Sequence, residues 1–164
     1  MEVGQVSERA QAIKARAVQF MADELWPLEA EIAASGVVDR AKVDAARAKA
    51  RASGFANLNM PTQYGGLDLP MLDLVAIEEE SGKATNGLGF FVADRGPREL
   101  LDAVTPEQAE RWVLPVTRGE ISEAWAITEP GAGSDVMGIQ ASAERDGDEW
   151  VLNGEKWFVT SEGD

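Results

Sequence analysis

Hydroxyl, carboxylate and glycine residues are concentrated in one stretch of the chain, residues 126–138, which read AITEPGAGSDVMG. Gly131 and Gly133 carry no Cβ and can adopt φ > 0, so consecutive backbone N–H groups could turn toward an anionic or carbonyl-bearing ligand. Thr128 and Ser134 add hydroxyl groups that both donate and accept hydrogen bonds. The pattern indicates a loop that holds a cofactor, although glycine spacing alone favours a strand that ends in a tight Pro-Gly turn.

Catalysis by histidine or cysteine is excluded, since the chain contains neither residue. Their absence removes Ser-His-Asp and Cys-His mechanisms, disulfides and imidazole- or thiolate-bound metal sites, so we predict no metal site. Glu129 and Asp135 flank the glycine loop, but both are interpreted as structural. The first precedes Pro130 at a turn and the second can cap backbone N–H groups. Neither is predicted to be a catalytic base, and the other acid–base candidates are the remaining carboxylates, the lysines and Tyr64.

Composition narrows the classes of partner. The 164 residues are 45% hydrophobic and 27% charged, which is ordinary for a globular protein. With 15 Lys and Arg against 29 Asp and Glu, the formal net charge of −14 would repel nucleic acid and anionic membrane surfaces. No secretory signal or membrane-spanning segment is evident. We expect a cytoplasmic protein with no nucleic acid partner and no membrane insertion.

The elements that must position the loop begin with helices. Apolar spacing and propensity predict that Ser7, Asp39 and Thr105 cap helices, and that Gly36 and Gly54 end two of them. Pro27 is expected to end or kink the first helix. The acidic run 78–80 is interpreted as a solvated helix end rather than a paired-carboxylate site. The predicted helical ranges are 7–25, a short helix to 35, 39–52, 71–81 and 105–119, with an ordered loop over 54–70 and broken helical pieces over 84–103.

Beyond Gly119 the helical period gives way to alternation. The dipeptides Asp146-Gly147 and Asn153-Gly154 are strong two-residue hairpin turns. The fold class is therefore α+β, with an all-helical N-terminal domain over 1–120 followed by the first antiparallel strands of a truncated β-domain over 121–164. The strands are predicted near 123–129, 138–145, 148–152 and 155–161. The chain ends where a further strand is expected, which suggests truncation.

Three segments resemble the acyl-CoA dehydrogenase family in order and spacing. They are the stretch 126–138, the upstream segment MPTQYGGLDL over 60–69 and the downstream segment NGEKWFVT over 153–160. The family consists of flavoenzymes that oxidise the Cα–Cβ bond of acyl-CoA thioesters. The resemblance implies a helical domain, a β-domain and a C-terminal four-helix bundle, of which only the first and the opening of the second are present here.

The resemblance also implies roles for individual residues. Thr128 would bond the pyrimidine edge of FAD, Phe158 would pack against the isoalloxazine ring and Thr160 would lie near flavin N5. Ser134 would contact both the cofactor and the thioester substrate. By alternation along a strand, Phe158 and Thr160 would share a face with Lys156. The implied FAD-binding set is Trp125, Ile127, Thr128, Gly133, Ser134, Phe158, Val159 and Thr160.

The implied reaction removes the α-proton of an acyl-CoA while the β-hydrogen leaves as hydride to FAD, so the protein is expected to be an oxidoreductase of fatty acid metabolism. The family's catalytic base is a glutamate of the C-terminal bundle, outside this sequence, so the chain alone is expected to be inactive. Acyl-CoA, an electron-accepting flavoprotein and further copies of the full-length chain are the expected partners. The alternatives are an acyl-CoA oxidase or a flavin monooxygenase on the same scaffold, or a non-enzymatic helical interaction module.

Overall fold

A computed structural model describes residues 5–159. The described residues fall into two compact units, which divide between Arg118 and Gly119. Helices make up the first unit and an antiparallel hairpin the second, so the predicted α+β class is confirmed. The α-helices of the first unit are α1 (Glu8–Phe20), α2 (Trp26–Ser35), α3 (Arg40–Ala52), α4 (Met71–Ser81), α5 (Pro106–Gln108) and α6 (Leu114–Arg118).

Local capping chemistry fixes the helix starts, as predicted. Ser7 accepts a hydrogen bond from the Ala10 N–H and begins α1, and Asp39 accepts one from the Lys42 N–H and begins α3. Thr105 begins α5 with a reciprocal capping box to Gln108. Each cap satisfies an N–H group that has no partner within its helix.

Pro27 was predicted to end or kink the first helix, and the predicted end is wrong. A π-helical turn, Met21–Leu25, joins α1 directly to α2, and Pro27 lies in the first turn of α2. Trp26 keeps helical backbone angles and donates its N–H to the carbonyl oxygen of Met21, five residues back. Because the turn is wider than an α-helical turn, it accommodates a residue that lacks an N–H and carries a bulky ring. The helix ends at Gly36, whose φ of 68° is left-handed.

The main core lies where α1 packs against α4. Alanines on the buried face of α1, Ala10 and Ala17, allow the two helices to approach closely, and Leu74 and Ile77 of α4 are buried opposite. Asp73, also in α4, accepts hydrogen bonds from the Ser7 N–H at 2.8 Å and the Ser7 hydroxyl at 2.6 Å. The start of α1 is thereby tied to the first turn of α4.

The acidic run 78–80 at the end of α4 was predicted to be solvated, and one of its residues is not. Glu80 is only 7% exposed and accepts hydrogen bonds from Lys14 of α1 at 3.1 Å and from Lys83 at 2.5 Å. These lysines lower the pKa of the Glu80 carboxyl. The interpretation of 78–80 as a solvated end is wrong for Glu80, because α1 covers it.

The segments around α4 are ordered loops with short 3₁₀ turns at Thr62–Tyr64, Leu88–Val92 and Arg98–Leu100. Asn59 joins two of these loops, since its side chain both donates to the Gly96 carbonyl and accepts from the Gly96 N–H, each at 2.8 Å. The last helical stretch runs from α5 through a π-helical turn, Ala109–Val113, into α6. The predicted loop and the predicted last helix agree with the structure.

Among its described residues, the second unit contains one regular hairpin rather than the four predicted strands. β1 (Ser142–Asp146) pairs antiparallel with β2 (Glu149–Asn153). The two-residue turn is Gly147-Asp148, one residue later than predicted, because glycine with φ 61° occupies the first central position, as in a type II′ turn. The predicted strands 123–129 and 155–161 are irregular over their described residues, and Gly138 of the predicted strand 138–145 lies in a 3₁₀ turn.

Candidate functional site

A backbone hydrogen bond joins the two segments that were predicted to form the site. The Trp157 N–H donates to the Thr128 carbonyl oxygen at 2.8 Å. The first segment, around residues 125–129, therefore lies beside the second, around residues 155–159, even though neither is a regular strand among the described residues. Thr160, which was also predicted to belong to the site, lies outside the described residues.

The carboxylate of Glu129 connects three parts of the second unit. It accepts hydrogen bonds from the Gln140 N–H at 2.8 Å, from the Ala141 N–H at 3.0 Å and from the Lys156 ammonium at 2.8 Å. Lys156 also donates to the Ile127 carbonyl oxygen at 3.0 Å. Glu129 is 8% exposed, so these contacts form in a largely water-excluded place.

These contacts determine the ionisation of Glu129. The Lys156 ammonium, followed by the Gln140 and Ala141 N–H groups, lowers the pKa of Glu129 from 4.5 to about 2. A carboxyl group held so firmly as an anion is a poor general base near neutral pH. The geometry agrees with the interpretation of Glu129 as structural.

The glycine loop begins with a tight turn. Glu129 and Ala132 exchange backbone hydrogen bonds at 3.0 and 3.1 Å, and Pro130 and Gly131 form the turn between them. The simpler interpretation of the glycine spacing, a tight Pro-Gly turn, is therefore correct for this part of the loop. Asp135 accepts from the Met137 N–H at 3.1 Å, as expected of a capping carboxylate.

Gly131 and Gly133 do not use the backbone freedom that suggested a ligand loop, because neither has a left-handed φ. A Cβ added at either position would also meet no atom of the described chain within 4 Å. No contact within the described residues therefore requires glycine at these positions. Ser134, beside Gly133, is exposed.

Large apolar side chains of both segments are exposed. Trp125 is 52% exposed, Ile127 40% and Phe158 81%, whereas Thr128 and Val159 are half-buried. The expected strand alternation fails at Phe158, whose φ of 55° is left-handed. Its ring instead lies edge-to-face on the Trp157 ring, with centroids 6.0 Å apart.

A shallow cleft of about 390 Å³ lies next to the glycine loop, within the second unit. Gly154 forms part of its wall, and a Cβ there would lie 2.5 Å from the Ala141 Cβ. The lining residues are Glu129, Pro130, Gly131, Gly138, Gln140, Ala141, Ser142, Asn153, Gly154 and Glu155.

The pairing of Glu129 with Lys156 was missed from the sequence. The available signal was the opposite charge of two residues in segments that the family resemblance brings together. Residue types alone did not reveal it, since 27 positions separate the two in the chain.

Two protein-family models match the chain. Residues 7–120 match the model of the acyl-CoA dehydrogenase N-terminal domain, and residues 124–164 match that of the acyl-CoA dehydrogenase middle domain. The chain belongs to the acyl-CoA dehydrogenase family. The resemblance carried by the three sequence segments is thereby confirmed.

Individual curated proteins and solved structures are similar to this chain over nearly its whole length. The 3-(aryl)acrylate reductase of Clostridium sporogenes is 33% identical over 94% of this chain and 41% of its own length. The crystal structure of the acyl-CoA dehydrogenase from Geobacillus kaustophilus superposes with a TM-score of 0.72 at 30% identity, over 96% of this chain and 41% of that one. The FAD complex of PigA superposes with a TM-score of 0.76 at 27% identity, over 96% of this chain and 41% of that chain.

The chain thus spans about two fifths of the length of these relatives. Within residues 5–159, no helix combines the length and the apolar character that crossing a bilayer requires.

Proposed function

We propose that the protein is a flavin-dependent dehydrogenase that oxidises the Cα–Cβ bond of an acyl-CoA thioester with FAD. The observation that carries this proposal is the hydrogen bond from the Trp157 N–H to the Thr128 carbonyl oxygen, in a chain that belongs to the acyl-CoA dehydrogenase family. It supports a shared site for the two segments from which the flavin-facing residues were predicted.

The residues present fit an isoalloxazine ring. Trp125, Ile127 and Phe158 expose large apolar surfaces in segments that lie side by side, and such surfaces are typical of ligand sites. Thr128, among these residues, carries a hydroxyl that can bond a polar ring edge. Gly133 leaves its backbone open to close approach, since a Cβ there would be in free space.

When bound, FAD accepts the hydride that the substrate's β-carbon releases. The proposed task of this chain is to hold and orient the ring: Thr128 and Thr160 offer hydroxyls, while Trp125, Ile127, Phe158 and Val159 exclude water. Gly133 and Ser134 would receive the pyrophosphate, with Ser134 also contacting the thioester. Glu129 is not proposed as the catalytic base, because a carboxylate with a pKa of about 2 is a weak proton acceptor near neutral pH.

The wider setting is part of the same proposal. An acyl-CoA is the proposed substrate and an electron-accepting flavoprotein the proposed acceptor, and the full-length protein is proposed to assemble as a homo-oligomer. The proposed domains remain 1–120 and 121–164. A cytoplasmic location and a role in fatty acid metabolism also stay proposals.

The test is to purify the protein from its complete coding sequence and to titrate it anaerobically with butyryl-, octanoyl- and palmitoyl-CoA. We expect bound FAD with absorption near 450 nm, which decreases when a suitable acyl-CoA is added. A protein that binds no FAD would favour the interaction-module alternative. A flavoprotein that reacts with O₂ after substrate reduction as fast as with an artificial acceptor would favour the oxidase or monooxygenase alternative.

A second candidate is reduction of a conjugated double bond in an aryl acrylate. It is favoured by the 33% identity over 94% of the chain to the 3-(aryl)acrylate reductase of Clostridium sporogenes. The chemistry is the reverse transfer of hydride, from reduced flavin to the β-carbon. Reoxidation of the photoreduced protein by cinnamate, but not by enoyl-CoA, would favour this candidate.

A further inference from the structure

The Lys156 ammonium holds both chain neighbours of Thr128. It donates to the Ile127 carbonyl oxygen at 3.0 Å and to the Glu129 carboxylate at 2.8 Å. Thr128 itself accepts the Trp157 N–H at 2.8 Å. Three consecutive residues are therefore tied to Lys156 and Trp157, so the backbone of the middle one is fixed from both sides.

The Glu129 carboxylate has further hydrogen-bond partners besides Lys156. Glu129 also accepts from the Gln140 and Ala141 N–H groups at 2.8 and 3.0 Å, and it is 8% exposed. Hydrogen bonds to a shielded carboxylate are charge-assisted and keep a defined geometry. Glu129 therefore connects Gln140 and Ala141, just before β1, to Lys156 in the second segment.

Among the described residues Thr128 lies in no regular strand, although Trp125 and Glu129 on either side of it are isolated β-bridge positions. In a regular sheet, repeated backbone hydrogen bonds would set the position of Thr128. Here Lys156 adds two contacts, one to the Ile127 carbonyl oxygen and one to the Glu129 carboxylate. We propose that Glu129 and Lys156 are a positioning pair that sets the orientation of the Thr128 hydroxyl toward FAD. This inference rests on the proposed function.

The experiment is a double-mutant cycle for FAD affinity in the full-length apoprotein. Lys156→Met removes the ammonium, and Thr128→Val removes the hydroxyl while keeping the side chain's shape. Affinity is measured by quenching of FAD fluorescence, and the flavin reduction potential is recorded for each holoprotein. Lys49→Met is the matched control, because Lys49 bonds Glu24 at 2.7 Å in the helical unit, outside the second unit.

We expect Lys156→Met to raise the Kd for FAD by about tenfold or more, the loss that follows from removing a charge-assisted hydrogen bond. In the Thr128→Val background the same change should raise the Kd by less than about threefold, because the hydroxyl that the pair positions is already absent. Lys49→Met should leave the Kd unchanged. Glu129→Gln removes the other charge of the Glu129–Lys156 pair, and it replaces Lys156→Met in the cycle if that variant does not fold.

The outcomes separate two ideas. A wild-type protein that binds no FAD overturns the proposed function itself. A wild-type protein that binds FAD, with Lys156→Met binding equally well or showing the same penalty in both backgrounds, leaves the proposed function standing. In that case the pair has no positioning role and serves only the fold.

Discussion

Trp157 donates its backbone N–H to the Thr128 carbonyl oxygen at 2.8 Å, across 29 positions of the chain. This contact brings residues 125–129, which lead into the glycine loop, beside residues 155–159, which carry the Trp157–Phe158 aromatic pair. Since neither segment is a regular strand among the described residues, the surrounding side chains, Glu129 and Lys156 in particular, add to the connection.

Acid should weaken the second unit through Glu129. Its pKa is about 2 in the folded protein against 4.5 ordinarily, so its contribution to stability is fully present above about pH 4.5 and is lost as the pH falls toward 2. Thermal unfolding of wild type and Glu129→Gln, measured from pH 7 to pH 2.5, should show a difference in Tm that shrinks below about pH 4.5. A difference that stays constant over this range would contradict the assigned pKa.

Gly154→Ala should destabilise the second unit. Its Cβ would lie 2.5 Å from the Ala141 Cβ and 2.8 Å from the Ala141 Cα, and the φ of 148° is unfavourable for any other residue. Overpacking and backbone strain each cost about 1–3 kcal/mol, which urea denaturation would detect. Gly131→Ala is the control, since its Cβ meets nothing within 4 Å, and equal losses of stability would argue against the packing at Gly154.

Gly133→Ala should separate ligand binding from folding. A Cβ at Gly133 meets no atom of the described chain within 4 Å, and its φ is not left-handed, so the free energy of unfolding of the apoprotein should change by less than about 1 kcal/mol. The Kd for FAD should rise about tenfold or more, because the added methyl group occupies the space into which the ligand approaches. Unchanged FAD binding would remove Gly133 from the proposed site.

Ser7→Ala should cost more stability than Thr105→Ala, although both remove an N-cap. The Ser7 hydroxyl also donates to Asp73, which is 3% exposed, so its loss leaves a buried carboxylate oxygen without that donor. We expect a loss of about 2–3 kcal/mol for Ser7→Ala and about 1 kcal/mol for Thr105→Ala. Chemical denaturation of both variants is the measurement, and equal losses would show that the Asp73 contact contributes nothing beyond the cap.

Features that depend on neighbours in the chain were predicted correctly, and features that depend on the surrounding structure were not. Ser7, Asp39 and Thr105 were predicted as caps and act as caps, because an N-cap bonds an N–H group only three residues along the chain. The helix end predicted at Pro27 is absent, since the effect of a proline depends on whether the preceding turn can widen. The hairpin turn was predicted at Asp146-Gly147 and lies one residue later, at Gly147-Asp148. Both dipeptides suit a tight turn, and the pairing of the strands selects the second.

By itself, the sequence determined the family, the α+β class and most helix boundaries, because these follow from local spacing, capping residues and motif order. Only the tertiary structure decided that Glu80 is covered by α1, that the segments beside the glycine loop form no regular strand among the described residues, and that Lys156 reaches Glu129. These features depend on which distant groups meet in space. A charge 27 positions away affects a carboxylate only after the chain has folded.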